Sequence, residues 1–119
     1  MAAHNELGKW GEDLATEYLR SKGYVIIERD WRSGRRDLDI IAADGDVVVF
    51  VEVKTRRNTI FGEPEDAIDW HKRQSLQQAI NHYVKFKHLR QEIRFDIISI
   101  VGTPETGADI RHVIDVALL

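Results

Sequence analysis

Apolar residues recur at helical spacing near the start of the chain. In residues 5–22 they stand three or four positions apart, which predicts an amphipathic helix with the following apolar positions: Leu7, Trp10, Leu14, Ala15, Tyr18 and Leu19. Asn5 is the predicted N-cap, and Gly23 is the predicted residue just past the C-terminus. The first helix is therefore expected to pack one face against the rest of the domain.

Three residues of this helix suggest more than packing. Gly8 and Gly11 each cost about 1 kcal/mol relative to alanine, so we expect another element to approach closely on the face that carries them. Glu12 lies at the border of the apolar stripe, where a carboxylate can face a site.

Shorter apolar segments follow, with the spacing of strands. Residues 24–28 are a predicted strand, and residues 31–36 are a predicted polar connection that contains Gly34. Residues 37–43 and 46–54 are predicted strands joined by Asp44 and Gly45, a pair favoured in type I′ hairpin turns. The run from Val47 to Val51 does not alternate, which indicates a strand that is covered on both faces.

The second half of the chain contains one more helix and the last strands. We predict a loop at residues 58–65, a helix at 65–87, a strand at 93–101, a loop at 102–107 and a weaker strand or turn at 110–118. The order is α-β-β-β-α-β-β. A strand, a long helix and another strand favour a parallel crossover, whereas the tight turn makes its two strands antiparallel. We therefore predict one α/β domain over residues 1–119, with a mixed sheet flanked by helices.

The hairpin brings acidic residues together. If Asp44 and Gly45 form the loop, Ala43 pairs with Asp46, so Asp37 faces Glu52 and Asp39 faces Phe50. Because side chains alternate along a strand, one face is predicted to carry Asp37, Asp39, Glu52 and Lys54. Asp39 is then diagonal to Glu52, at roughly 7 to 8 Å.

Such a cluster suggests metal chemistry. Packed carboxylates repel one another unless a cation or a proton is present, and oxygen ligands suit Mg²⁺ or Mn²⁺, which share their sites with phosphates. Lys54 could orient the attacking water and offset charge on the phosphate. The alternative is a structural salt bridge between Lys54 and Asp39 or Glu52.

Composition narrows the possible functions. The chain has no cysteine, which excludes disulfides and thiolate zinc sites, and no apolar run is long enough to span a bilayer, so a cytoplasmic location is expected. The net charge of −3 argues against a general basic coat. Arginines nevertheless cluster at positions 29, 32, 35 and 36, and Lys54, Arg56 and Arg57 form a second basic group. These groups could hold a phosphate backbone, or they could be two solvated loops.

Four blocks of sequence, taken in order, resemble the YraN-like family of bacterial predicted endonucleases in the PD-(D/E)xK nuclease superfamily, which is similar to Holliday junction resolvases. The blocks are residues 8–23 with Gly-x-x-Gly-Glu, residues 37–42, residues 50–54 with Glu-Val-Lys, and residues 94–96. The resemblance implies a restriction-endonuclease-like fold and metal-assisted hydrolysis of DNA.

The resemblance also implies roles for individual residues. Asp39 and Glu52 would bind Mg²⁺ or Mn²⁺ with the backbone carbonyl of Val53, Lys54 would act on the attacking water, and Glu12 would orient or bind a second ion. Lys72 matches a lysine that is common in the family and could contact the DNA backbone. The chain departs from the family in having Arg36-Asp37-Leu38-Asp39 where Gly-Glu-Ile-Asp is usual, and it lacks the superfamily's proline before the first aspartate.

The sequence supports one leading hypothesis and two alternatives. The leading hypothesis is a metal-dependent DNA endonuclease that is either structure-selective or nonspecific. Branched DNA is a candidate substrate, and a homodimer would suit a symmetric junction. The first alternative is a module that binds nucleic acid without cutting it, and the second is a structural adaptor whose acidic hairpin is a salt-bridge cluster. Predicted DNA contacts are Arg35, Arg36, Arg56, Arg57 and Lys72. Trp31 is a candidate for a base contact, and Asp96 is expected to form a structural pair with an arginine such as Arg94.

Overall fold

The computed structural model describes residues 2–60 and 69–118, which form two helices and five strands in the predicted order α-β-β-β-α-β-β. They are α1 (Ala2–Ser21), β1 (Val25–Ser33), β2 (Arg36–Asp44), β3 (Val47–Arg56), α2 (Trp70–Phe86), β4 (Ile93–Thr103) and β5 (Gly107–Val113). The strands form one mixed sheet in the order β1-β2-β3-β4-β5. Only the β3–β4 pair, which α2 connects, is parallel. The predicted fold class is confirmed.

The two helices cover opposite faces of the sheet. Ala15 and Leu19 of α1 pack in one core cluster with Val49 and Val51 of β3. The other cluster contains Leu76, Ala79, Ile80 and Tyr83 of α2 together with Val48 and Phe50 of β3. Successive residues of β3 therefore enter different cores, which confirms the prediction that this strand is covered on both faces. Neither α1 nor α2 is long and apolar enough to cross a membrane, and the described residues contain no other helix.

The ends of α1 were predicted with mixed success. The helix begins at Ala2, so Asn5 lies inside it and the predicted N-cap is wrong. The C-terminal prediction is confirmed: Gly23 adopts φ 91°, its N–H donates to Arg20 O, and Tyr24 N–H donates to Leu19 O. These two hydrogen bonds form a Schellman motif, in which glycine is favoured because the left-handed conformation is strained for other residues.

The predicted polar connection at residues 31–36 is wrong. β1 continues to Ser33 and pairs with β2 to the end, with Trp31 opposite Leu38 and Ser33 opposite Arg36. Trp31 packs edge to face on Tyr83 with ring centroids 5.1 Å apart. This packing anchors the segment in the sheet. Trp31 is half-buried, and its contact with a base stays a prediction.

The hairpin between β2 and β3 turns one residue later than predicted. Asp44 pairs with Val47 and Ala43 with Val48, so the loop is Gly45-Asp46 rather than Asp44-Gly45. Gly45, at φ 60°, occupies the first loop position, as in a type II′ turn rather than the predicted type I′. Each β2 residue therefore faces a partner two positions later than expected. A shift of two leaves the faces unchanged, because side chains alternate with period two.

The remaining bounds differ at their ends. α2 begins at Trp70, and Asp69 caps it by accepting a hydrogen bond from Lys72 N–H at 2.9 Å. The predicted start at residue 65 and most of the predicted loop at 58–65 lie outside the described residues. β4 extends to Thr103 and β5 begins at Gly107 and ends at Val113, so the predicted loop at 102–107 is shorter and residues 114–118 are not a strand.

Candidate functional site

The candidate site lies where β2 and β3 stop pairing. The regular pairs end at Ile40 opposite Val51. Just beyond them, the Asp39 carboxylate accepts a hydrogen bond from Val53 N–H at 2.9 Å. A side chain thus replaces the carbonyl that a neighbouring strand would offer, so the two strands can separate while the β3 backbone stays hydrogen-bonded. Asp39 is held at the opening by this bond.

The alternation of β2 breaks at the same place. Leu38 and Ile41 both contact the core beneath α2, although they are three residues apart, whereas Ile40 and Ala42 contact the core beneath α1. Strict alternation would have put Leu38 and Ile41 on opposite faces. The regular strand assumed from the sequence is therefore wrong at Asp39.

β1 is irregular at the matching position. Glu28 accepts a hydrogen bond from Tyr83 Oη at 2.7 Å, and Trp31 packs on the same ring, so two residues three apart again share a face. Asp30 lies between them at φ 53°. Aspartate is one of the few residue types that adopt this left-handed conformation without a large penalty. The irregular backbone turns Asp30 towards the side of the sheet that carries α1.

These irregularities bring three carboxylates together. Glu12 from α1, Asp30 from β1 and Asp39 from β2 each offer an oxygen within 4.8 Å of the other two. They adjoin a cleft of about 230 Å³ whose lining residues are Leu7, Gly8, Glu12, Asp39, Val53, Lys54, Thr55 and Arg56. Oxygen donors at this separation match the ligands that hard divalent cations prefer. We call this set of three residues the acidic cluster.

The glycines of α1 set how closely Glu12 approaches. A Cβ on Gly11 would lie 2.0 Å from Thr55 Oγ1, so only glycine lets α1 come this close to β3. The predicted close approach is confirmed at Gly11. At Gly8 it is wrong, because a Cβ there would meet nothing within 4 Å and the residue lines the open cleft.

Glu52 lies next to the acidic cluster but is bound by cations. Its side chain is 4% exposed, and its Oε2 is 3.4 Å from both Lys54 Nζ and Lys72 Nζ. The predicted pairing of Lys54 with Glu52 is therefore present, and Lys72 of α2 joins it. A buried carboxylate needs such partners because an isolated buried charge is unstable.

The electrostatics of the cluster are unfavourable without a bound cation. Burial, and then the nearby Glu52 charge, raise the pKa of Asp39 far above its usual range, despite the opposing hydrogen bond from Val53. Burial and Asp30 raise the pKa of Glu12 to about 7, against the effect of Arg29. Burial would lower the pKa of Lys72, but Glu52 reverses this and raises it. Near neutral pH the cluster therefore favours uptake of protons or of a cation.

Several predicted residues lie elsewhere. Arg29 is not part of a free basic patch, because it contacts Glu12 at 3.2 Å and Asp13 at 2.7 Å. Asp37 is outside the acidic cluster; it is exposed and lines a separate cleft with Arg32, Gly34, Arg35 and Arg36. Arg56 borders the acidic cleft and donates to Thr55 O, whereas Arg57 is exposed. Asp39 lies beside Glu52 and not diagonal to it, because of the hairpin register.

Sequence reasoning missed Asp30. It lies between the predicted strand at 24–28 and the predicted connection at 31–36, and its place in the cluster depends on a backbone irregularity that leaves no periodic signal. The available hint was weak: aspartate tolerates positive φ. Val53 lines the cleft as expected, while the metal-binding role of its carbonyl stays a prediction.

Comparisons with known proteins agree on one family. The model of UPF0102, described as an uncharacterised protein family, matches residues 11–100. A UPF0102 protein of Christiangramia forsetii is 47% identical over 115 residues, covering 97% of this chain and 96% of the relative. One of Bacteroides thetaiotaomicron is 48% identical over 102 residues, covering 86% and 84%. One of Dictyoglomus turgidum is 45% identical over 103 residues, covering 86% and 87%.

Proposed function

We propose that this chain, which belongs to the uncharacterised protein family UPF0102, is a metal-dependent nuclease that hydrolyses phosphodiester bonds in DNA. The observation that carries the proposal is the convergence of Glu12, Asp30 and Asp39 within 4.8 Å at a cleft that Lys54 also lines. A purely structural cluster would be expected to pair each carboxylate with a cation. Here the carboxylates adjoin one another, and Arg29 is the one cation that contacts the cluster among the contacts of the described residues.

The donor set fits Mg²⁺ or Mn²⁺. The side chains that would bind the cation are all carboxylates, and the Val53 carbonyl would add another oxygen. Hard cations prefer oxygen ligands, whereas softer metals prefer sulfur and nitrogen. Glu12 and Asp39, whose pKa values are raised by burial and by like charges, would be stabilised in their ionised forms by a cation. When bound, the cation supplies positive charge that stabilises the charge developing on the phosphate.

The protein residues divide the remaining tasks. Asp39, fixed by Val53 N–H, and Glu12, fixed by Arg29, are rigidly placed as ligands. The Lys54 ammonium lines the cleft, where it can orient the attacking water and donate a hydrogen bond to the phosphate. Glu52 contacts the Lys54 ammonium at 3.4 Å, and its binding of the cation beside Asp39 stays a prediction. Arg56 at the rim can contact the DNA backbone.

A cleavage assay tests the proposal. Labelled four-way junction, flap, single-stranded and duplex DNA are incubated with Mg²⁺ or Mn²⁺ and the parent protein. Asp39→Asn and Lys54→Met are expected to reduce the rate by on the order of 100-fold or more. Asp46→Asn is the matched control, because it removes one charge from the same hairpin at an exposed loop position.

Each outcome decides something. Cleavage that Asp39→Asn and Lys54→Met lose and Asp46→Asn retains supports the nuclease and identifies its substrate class. Cleavage that all variants retain would contradict the assignment of Asp39 and Lys54 as catalytic residues. DNA binding without cleavage would support a binding module instead. The assay tests the prediction that the substrate is branched DNA. The predicted homodimer and the predicted cytoplasmic location remain predictions.

A further inference from the structure

A second cleft lies at the N-terminal end of β2, between the β1–β2 turn and the first turns of α2. It measures about 390 Å³ and is lined by Arg35 and Arg36 from the turn and by four polar residues of the helix, which are His71, Gln74, Ser75 and Gln78. Every lining side chain can donate a hydrogen bond, and no carboxylate belongs to the lining. Such a set of groups suits an anion.

The two arginines are available to a ligand. Two arginines elsewhere in the sheet are bound to carboxylates: Arg29 to Glu12 and Asp13, and Arg94 to Asp96 and Asp44. Among residues 2–60 and 69–118, Arg35 and Arg36 make no ion pair. Arg35 and Arg36 are adjacent in sequence, and Asp37 borders them in the neighbouring cleft. An anion between the two guanidinium groups would relieve their repulsion. Guanidinium also matches phosphate oxygens in shape.

The position of the cleft relates it to the acidic cluster. Arg36 precedes Asp39 by three residues on β2, a distance of roughly 10 Å along a strand. On α2, Lys72 contacts Glu52 while its neighbour His71 lines the second cleft. A row of basic groups therefore runs from Lys54 through Lys72 to Arg36 and Arg35. Arg35 and Arg36 are too distant to contact the scissile phosphate, which would lie at the carboxylates.

We propose that this second cleft binds a non-scissile phosphate of the DNA strand that enters the candidate active site. The inference rests on the proposed nuclease function and adds the path of the DNA strand. From the scissile phosphate, the DNA strand would cross the N-terminal half of α2, so the second cleft would bind the DNA on one side of the cut only. The ligand is the phosphodiester backbone of duplex DNA, recognised by charge and by hydrogen-bond donors rather than by base sequence.

Binding measurements in an Asp39→Asn background test the inference without cleavage. Fluorescence anisotropy with labelled duplex DNA is recorded over a salt series for Arg35→Gln/Arg36→Gln and for a charge-matched control, Lys85→Gln/Arg90→Gln. Both control residues are exposed and lie outside the cleft. Loss of one to two phosphate contacts should reduce the slope of log K against log salt by about 1 to 2. The control should keep the parental slope.

A second variant and a length series sharpen the result. Gln74→Ala/Gln78→Ala removes two hydrogen-bond donors from the side of the cleft that α2 forms, and alanine favours helix. Weaker DNA binding by this variant without loss of thermal stability would support the same cleft. Duplexes shortened until they can no longer reach both clefts should lose the difference in affinity between the parent and the arginine variant. Dependence on both arginines for duplex RNA but not for DNA would overturn the assignment to DNA.

Failure of this inference is distinguishable from failure of the nuclease proposal. If the parent cleaves DNA but the arginine variant and the control have equal slopes, the second phosphate site is wrong and the nuclease stands. If the arginine variant loses binding while the parent cleaves nothing, the phosphate site stands and the nuclease is wrong. If the Asp39→Asn protein with both arginines intact does not bind duplex DNA, the proposed phosphate site is wrong.

Discussion

Asp39 and Asp96 are aspartates on strands of the same sheet, and their surroundings differ in kind. Asp96 is fully buried and accepts from Arg94 at 2.9 and 3.0 Å and from Asp115 N–H at 3.0 Å, while His112 Nε2 lies 2.7 Å away. Asp39 accepts a hydrogen bond from Val53 N–H at 2.9 Å. Its other neighbours include the carboxylates of Glu12, Asp30 and Glu52.

The pKa directions express this difference. Burial would raise the pKa of Asp96, but the hydrogen bonds from His112, Arg94 and Asp115 lower it to about 2. At Asp39, burial and the charge of Glu52 act in the same direction, and the pKa rises. A carboxylate with a full set of donors stabilises the fold. A carboxylate that is surrounded by like charges is better explained by a bound cation, which would offset their repulsion.

The largest expected effect is on the Asp96 network. Asp96→Asn leaves Arg94 without its main counter-charge in a buried place, which should lower the free energy of unfolding by about 3 to 5 kcal/mol. The measurement is urea unfolding followed by circular dichroism. Asp109→Asn is the control, since its pair with Arg111 is exposed on both sides and should contribute less than about 1 kcal/mol. Equal effects for both variants would contradict the structural role of Asp96.

A smaller effect is expected where α1 meets β3. Gly11→Ala forces a Cβ onto Thr55 Oγ1, so the helix must shift or strain at a cost of about 1 to 3 kcal/mol. Because Glu12 follows directly, the same shift should weaken the acidic cluster's binding of Mn²⁺. Gly8→Ala is the matched control: it adds a methyl group in open space and should stabilise the helix by up to about 1 kcal/mol. Calorimetric unfolding should show a lower free energy of unfolding for Gly11→Ala and a higher one for Gly8→Ala.

The smallest expected effect is the pH dependence of the metal-free protein. The folded-state pKa values of Glu12 and Asp39 are raised, so their protonated forms favour folding. This contribution is complete below their ordinary values near 4 and is lost as pH rises through about 7 for Glu12. The melting temperature should therefore fall by several degrees between pH 5 and pH 8, since about 1 kcal/mol corresponds to roughly 4 °C in a domain of this size.

Two controls separate the cluster from other titrating groups. Asp39→Asn removes one raised carboxyl, so its melting temperature should fall less over the same pH interval. Saturating Mg²⁺ should raise the melting temperature of the parent more at pH 8 than at pH 5, because the ion binds the ionised form. A parent and an Asp39→Asn variant with the same pH profile would refute the electrostatic description of the cluster.

Much of the fold could be predicted because its signals are periodic. The helical stripe of α1, the glycine after it and the apolar run of β3 each depend on local repetition, and the structure agrees with them. Asn5 shows the limit of such reasoning: asparagine is suited to an N-cap, but the helix begins earlier, at Ala2. The hairpin loop was one residue off because both Asp44-Gly45 and Gly45-Asp46 can form two-residue turns.

The candidate site was predictable in part, for a different reason. Asp39, Glu52 and Lys54 come from strands whose pairing follows from one turn, so their proximity could be predicted. The direction of the Asp39 side chain could not, because the alternation of β2 breaks at that residue. Asp30 could not be found, because it joins the cluster through a positive φ on β1 and a break in alternation on β2. Lys72 was identified, but its contact with Glu52 depends on how α2 packs over the sheet.

The most direct test of the account is a calorimetric titration of the protein with Mn²⁺ at about pH 7.5, with Asp39→Asn and the control Asp46→Asn beside the parent. The account predicts saturable binding by the parent and by Asp46→Asn, and binding that is weaker by at least about tenfold in Asp39→Asn. Heats that are absent from all three proteins, or an affinity that Asp39→Asn retains, would contradict the claim that the acidic cluster binds a divalent cation.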